Sequence, residues 1–204
     1  MAKKAGMFFV IAGTALIISA LSLFLCNRYE DAKAGRSAEK VLGSLIQLTE
    51  ERSEQLKESS GQTEQPETDM PVVEIEGNGY VGYISIPALD IELPVMSEWD
   101  YERLAIAPCR QFGSSRTDDL VIAAHNYRSH FGSLEELTAG DSVAFTDMDG
   151  IVNDYIVAET SVLQPTEVDA VQNSKYDLVL YTCTSSGSTR FVVFCERQGN
   201  RGGA

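Results

Sequence analysis

The sequence predicts an all-β domain carried behind an N-terminal membrane helix and a helical stalk, and three observations carry that reading. Met7 to Cys26 (MFFVIAGTALIISALSLFLC) contains no charged residue. Tyr29 to about Leu56 is rich in Ala, Glu, Lys, Leu and Arg, with apolar Val41, Leu42, Leu45, Ile46 and Leu48 near helical spacing. From Tyr80 onward, short runs of Val, Ile, Tyr and Phe are separated by Gly, Asp, Asn, Ser and Pro, the pattern of brief strands and turns. The 204 residues suffice for one ordinary domain plus extra segments. Their 30 acidic and 16 basic side chains leave a formal charge of -14 and no basic patch interleaved with aromatics, which argues against a nucleic-acid partner.

The uncharged run matches the roughly 20 residues that a helix needs to cross a bilayer. It is longer than the apolar core of a cleaved signal peptide, and the bulky Leu25 before Cys26 argues against a lipoprotein site. Residues 1–27 are therefore expected to form a cytoplasmic tip and an uncleaved single-pass anchor, with residues 7–26 in the membrane. Lys3 and Lys4 before the span compete with Arg28, Lys33 and Arg36 after it; taking the N-terminus as cytoplasmic places everything after Cys26 outside the cell. Residues 28–57 read as a stalk. Residues 58–79, beginning ESSGQTEQPETDM, have no apolar periodicity and read as a flexible linker.

Within the domain at 80–198, strands are expected at Tyr80–Ile86, Ile91–Val95, Leu120–Ala124, Ser142–Thr146, Ile151–Thr160, Tyr176–Thr182 and Arg190–Glu196. Asp147-Met148-Asp149-Gly150 has hairpin chemistry, Asp-Gly supplying positive φ; a calcium loop opens the same way, but its remaining ligands are missing here. Gly132 to Leu137 predicts a short helix with Ser133 at its cap and Glu136 three residues on. One closed barrel or sandwich suits about 120 residues of this kind, and 199–204 reads as a disordered tail.

Chemistry-bearing residues are scarce. The histidines are His125 and His130, and the cysteines are Cys26, Cys109, Cys183 and Cys195. His125 ends the run Leu120-Val121-Ile122-Ala123-Ala124, where a rigid strand can hold a side chain toward a groove; on this feature alone a surface histidine in a turn is the favoured alternative. Cys183 closes the strand-like Leu178-Val179-Leu180-Tyr181 and enters the turn Thr184-Ser185-Ser186-Gly187. Arg190 opens the next strand, which a turn of that length sets beside Cys183. A nearby cation favours the nucleophilic thiolate, and a guanidinium offers a planar fork of donors to a carbonyl.

His125, then Leu180-Tyr181-Thr182-Cys183, then Arg190, in an all-β domain behind an anchor, resemble a sortase, the membrane-anchored cysteine transpeptidase of Gram-positive bacteria. Gly82-Tyr83-Ile84-Ser85-Ile86-Pro87 and Phe131…Leu134…Leu137…Gly140-Asp141 extend the resemblance over Tyr80 to Arg197. The family's cysteine motif is usually T-L-x-T-C, and Val179 stands at its first position. The resemblance implies a closed eight-stranded β-barrel with short helices. It also implies a thiol-protease-like reaction in which Cys183 attacks the Thr-Gly carbonyl of an LPXTG-like sorting signal on a surface protein or pilin. An amine, such as that of a peptidoglycan precursor or a pilin lysine, then opens the thioester. His125 acts as acid and base, and Arg190 holds the substrate and its oxyanion. Thr182, Asn126 and Thr184 are candidates for substrate or oxyanion support; Asn126 either orients His125 or caps the turn. No metal or other cofactor is required by this chemistry, and a calcium effect stays open.

Cys26 falls in the span, while Cys109 and Cys195 read as structural thiols for which a disulfide needs a distance that sequence does not supply. His130 reads as a loop residue. The short Leu163–Tyr176 connection excludes the long helix of haem-associated sortases, and the lid triplet of many pilus-building sortases is missing from Glu58–Gly79. The alternatives are a membrane-anchored cysteine peptidase that only hydrolyses, and a non-catalytic tethered β-barrel binding or pilus module.

Overall fold

A computed structural model describes residues 2–58 and 68–199. Two compact units divide the chain between Lys33 and Ala34. The first unit holds the N-terminal part of helix α1 (Ala2–Glu58), where Phe8, Phe9, Leu16, Ile17, Leu21 and Leu23 all stand exposed. An 18-residue window of this helix reaches a mean hydropathy of 2.4, so it is long and apolar enough to cross a membrane.

The second unit is a β-barrel with the remainder of α1 packed on it. Its strands are β1 (Val73–Ile75), β2 (Asn78–Ile86), β3 (Ile91–Met96), β4 (Cys109–Phe112), β5 (Leu120–Ala123), β6 (Ser142–Asp147), β7 (Val152–Leu163), β8 (Leu178–Cys183) and β9 (Arg190–Arg197). Their order is β1-β2-β3-β4-β5-β8-β9-β7-β6, and β6 pairs back onto β2. With β1 set aside as a short hairpin arm on the first residues of β2, the other eight strands close a barrel. Closure depends on Gly82, which pairs with Asp147 across the seam and holds φ at +152°; a Cβ there would lie 2.0 Å from the Thr146 carbonyl oxygen.

Strand alternation divides the side chains into two faces. Leu120, Ile122 and Ala124 point inward with Leu178, Leu180, Val193 and Cys195, together with Ile84, Ile86 and Phe145 from the far wall. Val121, Val179, Val192 and Phe194 form a separate outer layer. That layer lies beneath the β7–β8 connection, whose helix α3 (Val168–Gln172) contributes Val171.

From Ala34, α1 presents buried Ala34, Ala38, Val41, Leu45 and Thr49 at intervals of three or four residues. Val41 and Leu45 pack with Tyr80, Met96 and Met148, and the Thr49 hydroxyl lies 3.8 Å from the Met148 sulfur. The expected stalk at 28–57 is thus helical, but from Ala34 on it belongs to the barrel's own unit rather than standing off it. The linker expectation at 58–79 needs a similar change: residues 59–67 lie outside the described residues, but beyond them Met70 is buried and Val73–Ile75 forms β1. Of the expected tail, 200–204 lies outside the described residues.

The turn at 147–150 is a hairpin, Gly150 having φ +78° and donating to the Asp147 carbonyl at 3.0 Å. Asp147 is fully buried; its Oδ1 accepts from the Asp149 and Ile151 amides, and its Oδ2 accepts from Arg116. Asp149 pairs with both Arg116 and Arg52. Both carboxylates of the turn are thus paired with guanidinium groups. Leu134–Glu136 is a 3₁₀ turn rather than an α-helix, and the Ser133 hydroxyl makes no capping hydrogen bond to it.

Candidate active site

The site is assembled by the register of three strands. β5 and β8 run parallel with Ala123 opposite Tyr181, and the Ala124 amide donates to the Tyr181 carbonyl at 3.1 Å. His125 follows two residues after Ala123, just past the end of β5, and Cys183 follows two residues after Tyr181 as the last residue of β8. β8 and β9 run antiparallel with Cys183 opposite Arg190. The Thr184 amide donates to the Thr189 carbonyl at 3.1 Å, so the next pair down, Cys183 and Arg190, is the one without ladder hydrogen bonds. Such pairs bring Cα atoms to about 4.5 Å, with their side chains closest.

Alternation places Cys183 on the outer face with Val179 and Tyr181. His125, Cys183 and Arg190 line one cavity of about 230 Å³ there. Its walls come from Ala123 and Tyr181 on the barrel, Leu104 of α2 (Tyr101–Leu104), Trp99, and Val168 and Val171 of α3. Cys183 is half-buried and free. One Arg190 Nη donates to the Gly187 and Thr189 carbonyls at 3.3 and 3.1 Å, so the turn's own backbone holds the guanidinium at the cavity. The Tyr181 hydroxyl bonds to Gln111 on the cavity floor, and burial pushes this phenol up to about 12.

The segment after His125 folds back tightly. Phe131 donates its amide to the His125 carbonyl at 3.2 Å, and Gly132 donates to the Tyr127 carbonyl at 2.8 Å. A Cβ at Gly132 would meet that oxygen at 2.6 Å, so the loop requires glycine there. The Tyr127 ring packs on His125 with centroids 4.9 Å apart and on His130 at 5.6 Å. His130 is accordingly a buried loop residue.

The supporting candidates separate. Thr182 points into the barrel, is buried, and donates its hydroxyl to the Ala124 carbonyl at 2.9 Å, tying the end of β8 to the segment that carries His125. Its side chain braces the site from within. Thr184 bonds through its hydroxyl to the hydroxyl of Thr189 at 2.9 Å, bracing the turn before Arg190. Asn126 is exposed and lines a second, smaller cavity beside Cys183. Cys109 and Cys195 are fully buried free thiols in different clusters, and burial pushes each up to about 12. Among the described residues, no three His, Cys, Asp or Glu side chains gather as a metal site would require.

Trp99, Gln111, Val168 and Val171 were not legible as groove residues. The only available signal was the placement of the single tryptophan among polar neighbours.

A family model for the sortase domain matches residues 84–198. The chain belongs to the sortase family. Sortase A of Listeria monocytogenes is 28% identical over 128 residues, covering 57% of this chain and 55% of that protein, so the chain spans about half the length of the curated relative it matches. Among solved structures, the sortase D5 transpeptidase of Clostridium perfringens superposes with a TM-score of 0.59 at 18% identity, over 80% of this chain and 99% of that one. Sortase C of Streptococcus pneumoniae gives 0.57 at 20% identity, over 81% and 100%. A Clostridium perfringens sortase C with the C-terminal cell wall sorting motif gives 0.53 at 21% identity, over 79% and 91%. These likenesses establish the sortase barrel. The β7–β8 connection holds only the five-residue α3, so the chain is not of the haem-associated class of sortases.

Proposed function

We propose that this sortase is a membrane-anchored cysteine transpeptidase that cleaves an LPXTG-like sorting signal and passes the acyl group to an amine. One observation carries the reading: three strand ends deliver His125, Cys183 and Arg190 to the wall of one largely apolar cavity. Cys183, as thiolate, attacks the scissile carbonyl. Arg190 stabilises the oxyanion that develops, and His125 protonates the leaving amine. The acyl chain is then held as a thioester until His125 takes a proton from the incoming amine. Trp99, Leu104, Val168 and Val171 supply apolar surface for the motif's leucine and proline. The partners are sorting-signal-bearing surface proteins or pilins and an amine such as that of a peptidoglycan precursor. Residues 7–26 anchor the enzyme in the cell membrane with the barrel outside.

The test is an assay of the full chain in detergent with LPXTG-type peptide libraries and glycine or lysine acceptors. New amide products, lost in His125→Ala, Cys183→Ala and Arg190→Ala, support the reading. Free acid as the sole product at every acceptor concentration would assign a hydrolase, and no turnover of any peptide would favour a binding module.

A further inference from the structure

Two cavities share Cys183, the single residue that lines both. The larger, on the outer face, is mainly apolar. The smaller, of about 40 Å³, is walled by Asn126, Gly132, Glu135, Thr184 and Ser185, with Phe131 and Phe191 behind them. At about 40 Å³ the space is close to the roughly 30 Å³ that one molecule takes in liquid water, so it suits a small polar group. Its single carboxylate, Glu135, is exposed and paired with no cation among the described residues. The loop from Asn126 to Gly132 has no room for a Cβ at Gly132, and the turn at 184–189 is tied by the Thr184–Thr189 hydroxyl bond.

A transpeptidase needs two substrates at one sulfur, and the second must reach the thioester while the first still fills its groove. We infer that the smaller cavity is the acceptor port and that Glu135 draws in a primary ammonium on an unbranched carbon. This inference rests on the transpeptidase reading and assigns its second substrate a separate entrance. The ammonium sheds one proton to solvent, and the neutral amine attacks the thioester carbonyl. The C–N bond forms, the C–S bond breaks, the second nitrogen proton passes to His125, and Cys183 leaves as thiolate. Glu135 acts before the chemistry, by concentrating the cation at the port. Because the carboxylate is exposed, its effect is modest and weakens with salt.

The test compares wild type, Glu135→Gln and Glu135→Lys as full chains in detergent, with two acceptors: a glycine peptide, cationic at neutral pH, and hydroxylamine, which is neutral there. Acylation of Cys183 by a sorting peptide is read in single turnover, and acceptor KM from the ratio of amide to acid. The expected result is a KM for the glycine peptide raised about threefold in Glu135→Gln and further in Glu135→Lys. Acylation and the hydroxylamine KM should hold at wild-type values, and added salt should narrow the difference. Unchanged KM for the glycine peptide in both variants, or equal shifts for both acceptors, would overturn the port assignment while leaving the transpeptidase reading standing. Failure of the wild type to acylate would instead remove the reading on which the assignment rests.

Discussion

Cys183 and Arg190 face each other across β8 and β9 as the last pair before a six-residue closure from Thr184 to Thr189, whose carbonyls hold the guanidinium. The pairing sets the cation beside the thiol, and among the described residues no carboxylate forms a salt bridge with Arg190. A planar fork suits two carbonyls, and a lysine offers only a point charge. Arg190→Lys should therefore lose nearly as much as Arg190→Ala, about 100-fold or more in kcat, measured in the transpeptidation assay. Near-wild-type kcat in Arg190→Lys would reduce the arginine to a charge.

Thr182 joins the ends of β8 and β5 through its bond to the Ala124 carbonyl. Thr182→Val keeps the shape and removes the donor, leaving a buried carbonyl short of a partner. It should cost about 1–2 kcal/mol in denaturant unfolding and lower kcat, while Thr182→Ser should restore most of both. A valine variant as active as wild type would show that the strand ends hold their places without this bond.

The docking of α1 has a consequence for any soluble fragment. Leu45 is fully buried against the barrel, so a protein beginning at Ala34 should melt well above one beginning at Pro71. Leu45→Ala should cost about 2–4 kcal/mol in the longer fragment. Equal melting temperatures for the two fragments would contradict the packing of α1 described above.

Buried thiols set the behaviour in alkali. Cys109 and Cys195 are pushed from about 9 in an exposed thiol to about 12 in the fold. Between these values the unfolded chain has lost the proton while the native chain keeps it, so the native state binds more protons and stability falls as pH rises. The thiols' contribution should be flat below about pH 9 and stability should decline above it, more shallowly in Cys195→Ala. Thiol-reactive probes near neutral pH should modify Cys183 in the barrel and spare Cys109 and Cys195. An unchanged slope in Cys195→Ala would argue that the thiol is not protected in the fold.

The strands that carry the site were legible because each is a run of apolar, β-branched or aromatic residues ending at a polar turn. His125 and Cys183 sit where two such runs stop, and with Arg190 they line one cavity. β4 escaped because Cys109-Arg110-Gln111-Phe112 has only four residues of mixed polarity between Pro108 and Gly113, and β1 escaped because it has three. The docking face of α1 was hidden for another reason. Its first contacts are Ala34 and Ala38, small residues that a hydrophobic pattern passes over, and the surface that receives them is made by strands far along the chain. Groove residues such as Trp99 and Val171 come together only through barrel closure, which no local pattern reports.

The central claim is that Cys183 holds the acyl group between two half-reactions. Intact mass spectrometry of the full chain, quenched in acid after mixing with a sorting peptide and no amine, tests it most directly. The expected result is a mass increase equal to the peptide's acyl fragment, localised to Cys183 by digestion and discharged when amine is added. Its absence in wild type, or its persistence in Cys183→Ala, would contradict the account.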